Sequence, residues 1–255
     1  MIYITGDTHS SFNRFSRKRF PDQDDMTKDD YVIIVGDFGG IWYPVRDTTH
    51  RKAEDYNLEE LNKRPFTTLF VPGNHENYAR LMSDEFPTIP WKGGVVKQIR
   101  SSILMLMRGE MYDIDGARIF TFGGARSHDI QDGLLDAGDP EWKEKARGLR
   151  HQGRRYYRVK GLSWWEEELP TIQEMRHGLD TMEACGWAAD YVITHCAPTS
   201  IQAQLGRNDA DALTDYLETI RQRLDYKKWF FGHYHSNQEI DDRHMLLYEQ
   251  IMRLR

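Results

Sequence analysis

Short, nearly continuous apolar runs recur along this chain, and each ends in a polar or glycine-rich cluster. The clearest runs span residues 2–4, 31–35, 67–71, 117–122, 191–193 and 228–231. Such runs are typical of strands buried on both faces, and glycine marks the turn that follows each strand. Residues 54–63 and 210–224 show the apolar spacing of helices. Strands that alternate with helices predict an α/β architecture.

The stretch from about residue 127 to 185 departs from this pattern, because it lacks comparable strand-then-glycine signals. We interpret it as an insertion or cap over the active face, within a single domain that covers residues 1–255. Its residues 147–160 are basic, with Tyr156 and Tyr157 interleaved. Such a tract can bind single-stranded nucleic acid through charge and stacking. The acidic segment that follows it favours instead a cap helix with internal charge pairing.

Composition narrows the class of protein. Hydrophobic residues make up 39% and charged residues 29% of the 255 residues, which is enough to bury a core at this length. The formal net charge of −6 does not indicate bulk attraction to nucleic acid or anionic lipid. The 2 cysteines lack CxxC spacing, and no leader-like or membrane-spanning stretch is apparent. We therefore expect a cytoplasmic protein with no membrane partner.

Seven candidate metal ligands follow the predicted strands, where functional groups of open α/β sheets gather. Their side chains are oxygen or imidazole donors, and none is a thiolate. This donor set suits Mn, Fe, Zn or Ni and argues against a structural zinc–cysteine site. Seven donors exceed what one ion needs, whereas two ions that share a bridging carboxylate explain the surplus. The candidates are Asp7, His9, Asp37, Asn74, His195, His233 and His235.

The motifs that contain these residues differ in specificity. A Gly-Asp-x-His turn alone is a weak signal, and a lone histidine at a strand end is more often a hydrogen-bonded structural residue than a ligand. Gly232-His233-Tyr234-His235 is stronger, since alternate imidazoles at a strand end can face one cavity, and Gly73-Asn74-His75-Glu76 is stronger again. The occurrence of all five blocks in this order, each after a predicted strand, argues against coincidence.

Together these blocks resemble the five signature blocks of the calcineurin-like metallophosphoesterases, and they extend across nearly the whole chain. The resemblance implies a four-layer α/β/β/α sandwich of two mixed sheets, here with a cap-like insertion. The blocks are Gly6-Asp7-Thr8-His9, Gly36-Asp37, Gly73-Asn74-His75-Glu76, Thr194-His195 and Gly232-His233-Tyr234-His235.

The resemblance also implies two divalent ions, with manganese preferred over iron, zinc or nickel. The implied ligands are Asp7, His9 and His235 for one ion, Asn74, His195 and His233 for the other, and Asp37 as the bridge between them. His75 is then the catalytic non-ligand histidine, placed near the leaving group. The chemistry agrees, because two cations ~3.5–4 Å apart clamp a phosphoryl group and a hydroxide that bridges them attacks phosphorus. A cationic histidine opposite the nucleophile can protonate the departing alkoxide.

Three features depart from the family pattern. The first block ends in Ser10, where glycine is usual. After Gly36-Asp37, residues 38–42 lack the Asp that would normally orient the histidine corresponding to His75. The same residues lack the Arg that would normally grip a phosphomonoester. Both absences weaken a protein-phosphatase interpretation and leave substrate binding open.

One arginine outside the blocks is a candidate substrate ligand. Arg126 follows a predicted strand within Gly123–His128 and could face the site. A planar guanidinium suits bidentate binding of an oxyanion, so we expect Arg126 to contact the substrate phosphate. The alternative is a surface arginine after a turn.

The resulting hypothesis is a dinuclear metal-dependent phosphoesterase, a phosphodiesterase that acts on a small or nucleotide-like substrate. One alternative is a phosphomonoesterase, including a Ser/Thr protein phosphatase. A nuclease is another, disfavoured by the net negative charge because polynucleotide binding draws on phosphate neutralisation. A non-catalytic scaffold is disfavoured because all seven candidate ligands and His75 are retained. The oligomeric state is left open.

Overall fold

Two mixed β-sheets form the centre of the protein, and helices lie outside them. The structure, a computed structural model, describes residues 1–255. The strands are β1 Ile2–Thr5, β2 Tyr31–Ile34, β3 Thr67–Phe70, β4 Thr88–Trp91, β5 Gly94–Arg100, β6 Ile103–Leu106, β7 Glu110–Ile114, β8 Ala117–Phe122, β9 Gly133–Asp136, β10 Tyr157–Lys160, β11 Tyr191–Thr194, β12 Lys228–Phe231, β13 Gln238–Asp241, β14 His244–Leu246 and β15 Ile251–Arg253. The α-helices are α1 Thr48–Asn62, α2 Tyr78–Leu81, α3 Trp142–His151, α4 Ile172–Ala184, α5 Thr199–Gln204 and α6 Ala212–Arg223.

Both large sheets are parallel in the middle and antiparallel at the margins. The first has the order β15-β1-β2-β3-β6-β5-β4, and its neighbours from β1 to β6 are parallel. The second has the order β13-β14-β12-β11-β8-β7, parallel from β14 to β8. Parallel strands end at the same edge of a sheet, so the loops that follow them gather there.

Alternate residues of the central strands enter different apolar cores. In β1, Ile2 and Ile4 join the core between the two sheets, whereas Tyr3 belongs to the core under the outer helices. In β2, Ile33 and Val32 divide in the same way. This alternation follows from the two-residue period of a strand. Both faces are buried, which explains why the strands appear in the sequence as continuous apolar runs.

Helices cover the outer face of each sheet. Leu58 and Leu61 of α1 pack on the first sheet. Leu213 and Leu217 of α6, with Met182 of α4, pack on the second. The predicted helices at 54–63 and 210–224 correspond to α1 and α6, and the predicted four-layer sandwich is confirmed. None of the helices has the length and apolar content that a membrane crossing requires.

The predicted insertion contains regular structure of its own. Strands β9 and β10 pair in parallel as a separate two-stranded sheet, and α3 lies between them in the chain. Helix α4 instead joins the outer helical layer of the second sheet. The basic tract 147–160 is not one helix, because α3 ends at His151 and β10 begins at Tyr157. The cap-helix interpretation of that tract is therefore wrong, while the extent of the insertion stays a prediction.

A buried ion pair fixes the loop that follows β2. Glu54 of α1 and Arg80 of α2 form this pair, and each side chain is only 4% exposed. Glu54 also accepts hydrogen bonds from the backbone N–H groups of Trp42 (2.7 Å) and Tyr43 (3.1 Å). Arg80 donates to the Tyr43 carbonyl at 2.9 Å. The segment that departs from the family pattern is thus held by buried charge.

Removing the Glu54 carboxylate should destabilise the fold. Glu54→Ala leaves a buried guanidinium with fewer partners, so we expect the free energy of unfolding to fall by about 3 kcal/mol in urea titrations, the low end for a broken buried pair because Glu85 still contacts Arg80. The matched control is Glu59→Ala, which removes the half-exposed partner of Arg100 and should cost less than about 1 kcal/mol. Equal losses of unfolding free energy in the two variants would contradict a stabilising role for the Glu54–Arg80 pair.

Candidate metal centre

The five motifs meet at one edge of the sandwich. Each of them follows the end of a parallel strand, namely β1, β2, β3, β11 or β12. Because the two sheets pack face to face with these ends on the same side, residues far apart in the chain become neighbours. His9 and His235, which are 226 positions apart, bring their Nε2 atoms within 3.0 Å.

Asp7, His9, Asp37 and His235 form one compact group. Their potential ligand atoms all lie within 4.8 Å of one another. Asp7 and Asp37 are each 1% exposed, and neither carboxylate has a Lys or Arg ion-pair partner. Buried carboxylates without a permanent cation are costly, so this group fits a divalent metal ion. Its oxygen and imidazole donors suit first-row transition metals.

A second group adjoins the first through Asp37. His195 Nε2 lies 3.2 Å from Asp37 Oδ1 and 3.3 Å from Asn74 Oδ1. The other ring nitrogen of His195, Nδ1, lies 2.9 Å from the Val35 carbonyl oxygen. A carbonyl oxygen only accepts, so Nδ1 carries the proton and the Nε2 lone pair is free for a metal. With no ion present, burial opposes protonation of His195, but Asp37 and Asp7 outweigh it and raise its pKa to about 9. A metal ion bound at Nε2 would therefore displace a proton from that nitrogen.

His233 lies next to His195, but its ring is turned away from the second group. Its ring centroid is 5.0 Å from that of His195, while its Nε2 lies 2.8 Å from Nε2 of His128. Burial lowers the pKa of both His233 and His128, so the contact joins neutral rings, one as donor and one as acceptor. The six other predicted ligands come together in the two groups, and His233 is turned toward a histidine that was not among them.

Two motif glycines are required by the close approach of a ligand. A Cβ on Gly73 would lie 2.1 Å from Asp37 Oδ1, and one on Gly232 would lie 2.1 Å from Asp7 Oδ1. Any side chain at either position would displace a carboxylate. Each of these two glycines therefore makes room for a predicted ligand from another motif.

The backbone at the motifs is strained. Positive φ is uncommon for residues other than glycine, and such strain concentrates at functional sites. Ser10, at φ +62°, occupies the position where the family usually has glycine, and its backbone N–H donates to the Phe38 carbonyl. Five of the eight non-glycine residues with positive φ lie in or next to the motifs, namely His9, Ser10, Asp37, His233 and His235.

A known protein family matches most of the chain. The sequence profile described as calcineurin-like phosphoesterase matches residues 1–237. The chain belongs to the calcineurin-like phosphoesterase family. No curated protein matches the sequence. Among solved structures it is similar to a putative 5'-nucleotidase from Staphylococcus aureus, crystallised in complex with alpha-ketoglutarate, with 12% identity, 97% of this chain covered and a TM-score of 0.44. The match covers 48% of that protein's chain.

In this calcineurin-like phosphoesterase, His75 has neighbours that the family motifs do not predict. Its ring lies parallel to Trp42, with centroids 6.1 Å apart and an interplanar angle of 23°. Nη2 of Arg158 lies 3.3 Å from both ring nitrogens of His75 and also pairs with Asp129. Burial lowers the pKa of His75, an effect that Asp37 opposes and Arg158 reinforces. The neutral imidazole is therefore favoured in the absence of an anion.

Glu76 does not orient His75. Its carboxylate accepts hydrogen bonds from the backbone N–H groups of Phe38 (2.7 Å) and Gly39 (3.2 Å). Glu76 therefore does not take the place of the missing Asp. Glu76 instead holds the loop after Asp37 in place, and Asp37 in turn accepts from the His75 backbone N–H at 2.8 Å.

The amide of Asn74 is oriented by residues of the predicted insertion. Its Nδ2 lies 3.3 Å from Ser127 Oγ, and that hydroxyl donates to Glu168 at 2.6 Å. Glu168 also accepts from the Ser127 backbone N–H, and burial raises the pKa of Glu168 to about 7. Because the amide nitrogen is engaged, Asn74 turns its oxygen toward His195 Nε2, the orientation that its predicted role as a metal ligand requires.

Arg126, the predicted phosphate contact, is exposed and forms no hydrogen bond or ion pair, so its role stays a prediction. The sequence interpretation missed His128, Trp42 and Arg158. His128 had a usable signal, a glycine-rich cluster after a strand. Trp42 lay in the stretch that departs from the family pattern, and nothing in the local sequence distinguished Arg158 from the arginines around it.

Replacing Gly73 should abolish tight metal binding. In Gly73→Ala the new methyl group displaces Asp37, so we expect metal affinity to fall at least about tenfold, measured by elemental analysis after dialysis. Thermal unfolding would separate this effect from loss of fold. Gly148→Ala is the control, because its Cβ meets nothing within 4 Å and its backbone is helical, so it should keep its metal. Metal retention by Gly73→Ala at the wild-type level would refute the prediction.

Proposed function

We propose that this protein is a dinuclear metal-dependent phosphodiesterase that acts on a small or nucleotide-like substrate. The observation that carries the proposal is the position of Asp37 between the two donor groups. Its Oδ2 lies 3.8 Å from His9 Nε2, and its Oδ1 lies 3.2 Å from His195 Nε2. A carboxylate with one oxygen toward each group is the arrangement expected of a bridging ligand.

Manganese is the proposed metal, as the family resemblance implies, and the mixed oxygen and imidazole donors would also suit iron, zinc or nickel. Asp7, His9 and His235 would hold one ion, and Asn74 and His195 the other. His233 would complete the second set after a change of partner from His128. When bound, two such ions supply Lewis-acid polarisation of the phosphoryl group and activate a water molecule as nucleophile.

His75 is the proposed proton donor to the leaving oxygen. It borders the first donor group, since its ring centroid is 5.1 Å from that of His9. The parallel Trp42 ring restricts its orientation, a role that the absent Asp would otherwise fill. A phosphate anion bound beside it favours the imidazolium, because a nearby negative charge raises the pKa of a histidine. The histidine can then protonate the departing alkoxide.

Arg158 is the proposed contact for a phosphoryl oxygen. It reaches His75 from the predicted insertion and so supplies the guanidinium that the loop after Asp37 lacks. Its pairing with Asp129 leaves little net positive charge at this position. That balance supports a singly charged diester over the dianion of a phosphomonoester.

The manganese-loaded protein should hydrolyse bis-p-nitrophenyl phosphate with a higher kcat/KM than p-nitrophenyl phosphate or a phosphoserine peptide. It should carry two ions per chain by elemental analysis. Asp37→Asn should weaken both sites, because the proposed bridge is lost, and should reduce activity by at least about tenfold. Glu59→Asn, which alters a half-exposed carboxylate that pairs with Arg100, is the control and should keep both ions.

A clear preference for the phosphopeptide would contradict the diesterase proposal. One tightly bound ion per chain, fully retained by Asp37→Asn, would contradict the dinuclear site. The two results are independent, so substrate class and metal content are tested separately.

The rate penalty for removing the proposed proton donor, His75, should depend on the leaving group. His75→Asn should lose about 10²–10⁴-fold in rate with alkyl-like leaving groups of high pKa, which is the usual contribution of general acid catalysis. The loss should shrink with p-nitrophenolate, which departs without a proton. The measurement is log kcat across a series of phosphodiesters of rising leaving-group pKa.

Metal content serves as the control in the same experiment, because His75→Asn should retain both ions. Parallel lines for the wild type and the variant would show that His75 donates no proton in the transition state. Loss of metal with an equal penalty for every substrate would instead indicate a structural role.

A further inference from the structure

A large cleft lies beside the metal centre, within the predicted insertion. It has a volume of about 980 Å³ and is bordered by α3, the loop after it and β10. This volume reaches the upper end of the roughly 300–1,000 Å³ typical of ligand pockets. Arg158 and Asp129 belong to its lining, and Arg158 also contacts His75. Arg158 therefore connects the lining of the cleft to the proposed proton donor.

The lining is strongly cationic although the chain as a whole is acidic. Five basic side chains and one carboxylate border the cleft. The carboxylate, Asp129, pairs with Arg158, and the other four basic residues have no ion-pair partner. The nearby acids Asp132 and Asp139 are paired with basic residues outside the lining. The unpaired cations are Lys143, Arg147, Arg150 and Arg155.

Aromatic rings lie among these charges. Tyr156 is 60% exposed, which is unusual for a large side chain without a partner, and Trp142 and Tyr157 are half-buried in the same lining. Unpaired cations that alternate with accessible rings suit a ligand that carries both phosphates and planar bases. Inorganic phosphate would engage the charges alone and leave the rings unused.

We propose that the cleft binds a single-stranded oligonucleotide arm of the substrate, with its backbone phosphates on the arginines and a base stacked on Tyr156. This inference rests on the proposed phosphodiesterase function and replaces its broad class, a small or nucleotide-like substrate, with a short single strand. The scissile phosphate lies at the metal centre beside His75, and the flanking nucleotides extend along α3. Local charge, rather than the net charge of −6, governs recognition of the strand.

Binding of a strand is tested on the full-length, manganese-loaded protein with a fluorescent thymidine hexamer whose phosphorothioate linkages resist cleavage. Fluorescence anisotropy across a salt series gives the affinity. The double variant Arg147→Gln and Arg150→Gln removes two cleft charges and keeps helix-forming side chains on α3. The matched control, Lys52→Gln with Arg176→Gln, removes two exposed, unpaired charges from helices outside the cleft.

The cleft variant should bind the hexamer about five- to tenfold more weakly, and the slope of log affinity against log salt should fall by about 1.4, or about 0.7 for each lost phosphate contact. The control should match the wild type. Tyr156→Ala should weaken binding about tenfold through lost stacking, yet leave binding of an abasic hexamer unchanged.

Equal affinities for the cleft and control variants would overturn the proposal. Equally tight binding of the abasic and thymidine hexamers by the wild type would also overturn it, because the bases would then not be recognised. Hydrolysis of bis-p-nitrophenyl phosphate separates this proposal from the proposed function. If that hydrolysis is absent while hexamer binding depends on the cleft, the phosphodiesterase assignment fails and the cleft assignment stands.

Discussion

Burial of the Asp37 carboxylate is the constraint around which the active edge is arranged. This side chain is 1% exposed, follows β2 in a left-handed conformation and faces imidazoles on both sides. A buried negative charge is tolerated only with compensating cations and hydrogen bonds. Gly73 leaves space for one carboxylate oxygen, and the His75 backbone N–H donates to it. Residues from both sheets are thus tied to one side chain, so sheet packing and metal-site geometry depend on each other.

The fold and most of the donor set could be predicted because both depend on local sequence. The alternation of Ile2, Tyr3 and Ile4 between two cores follows from strand period, and a motif glycine such as Gly73 marks a close approach. Arg158 could not be predicted in the same way. It reaches His75 only because β10 pairs with β9, and that pairing joins residues more than twenty positions apart without a sequence signal.

The basic tract 147–160, wrongly predicted to form a cap helix with internal charge pairing, shows where charge patterning in a sequence is ambiguous. The acidic residues 166–168 suggested that the basic residues before them were neutralised. In the structure Glu168 turns inward to bind Ser127, and Glu166 is near Lys160 rather than the arginines of α3. A run of opposite charges in sequence becomes a set of ion pairs only if the fold brings the side chains together. Here the fold separates the acidic residues from the arginines of α3, and those arginines remain unpaired.

The departure of the loop after Asp37 from the family pattern is compensated elsewhere in the chain. Trp42 lies parallel to His75, and Glu54 anchors the backbone of that loop through a buried ion pair with Arg80. In the proposed function, the guanidinium that the loop lacks comes instead from Arg158 of the predicted insertion, which contacts His75. With the guanidinium in the predicted insertion rather than in the loop, the proposed phosphate contact belongs to the same segment as the basic cleft. If the proposed function holds, variation in that segment would change which phosphate ester is bound without altering the proposed metal ligands.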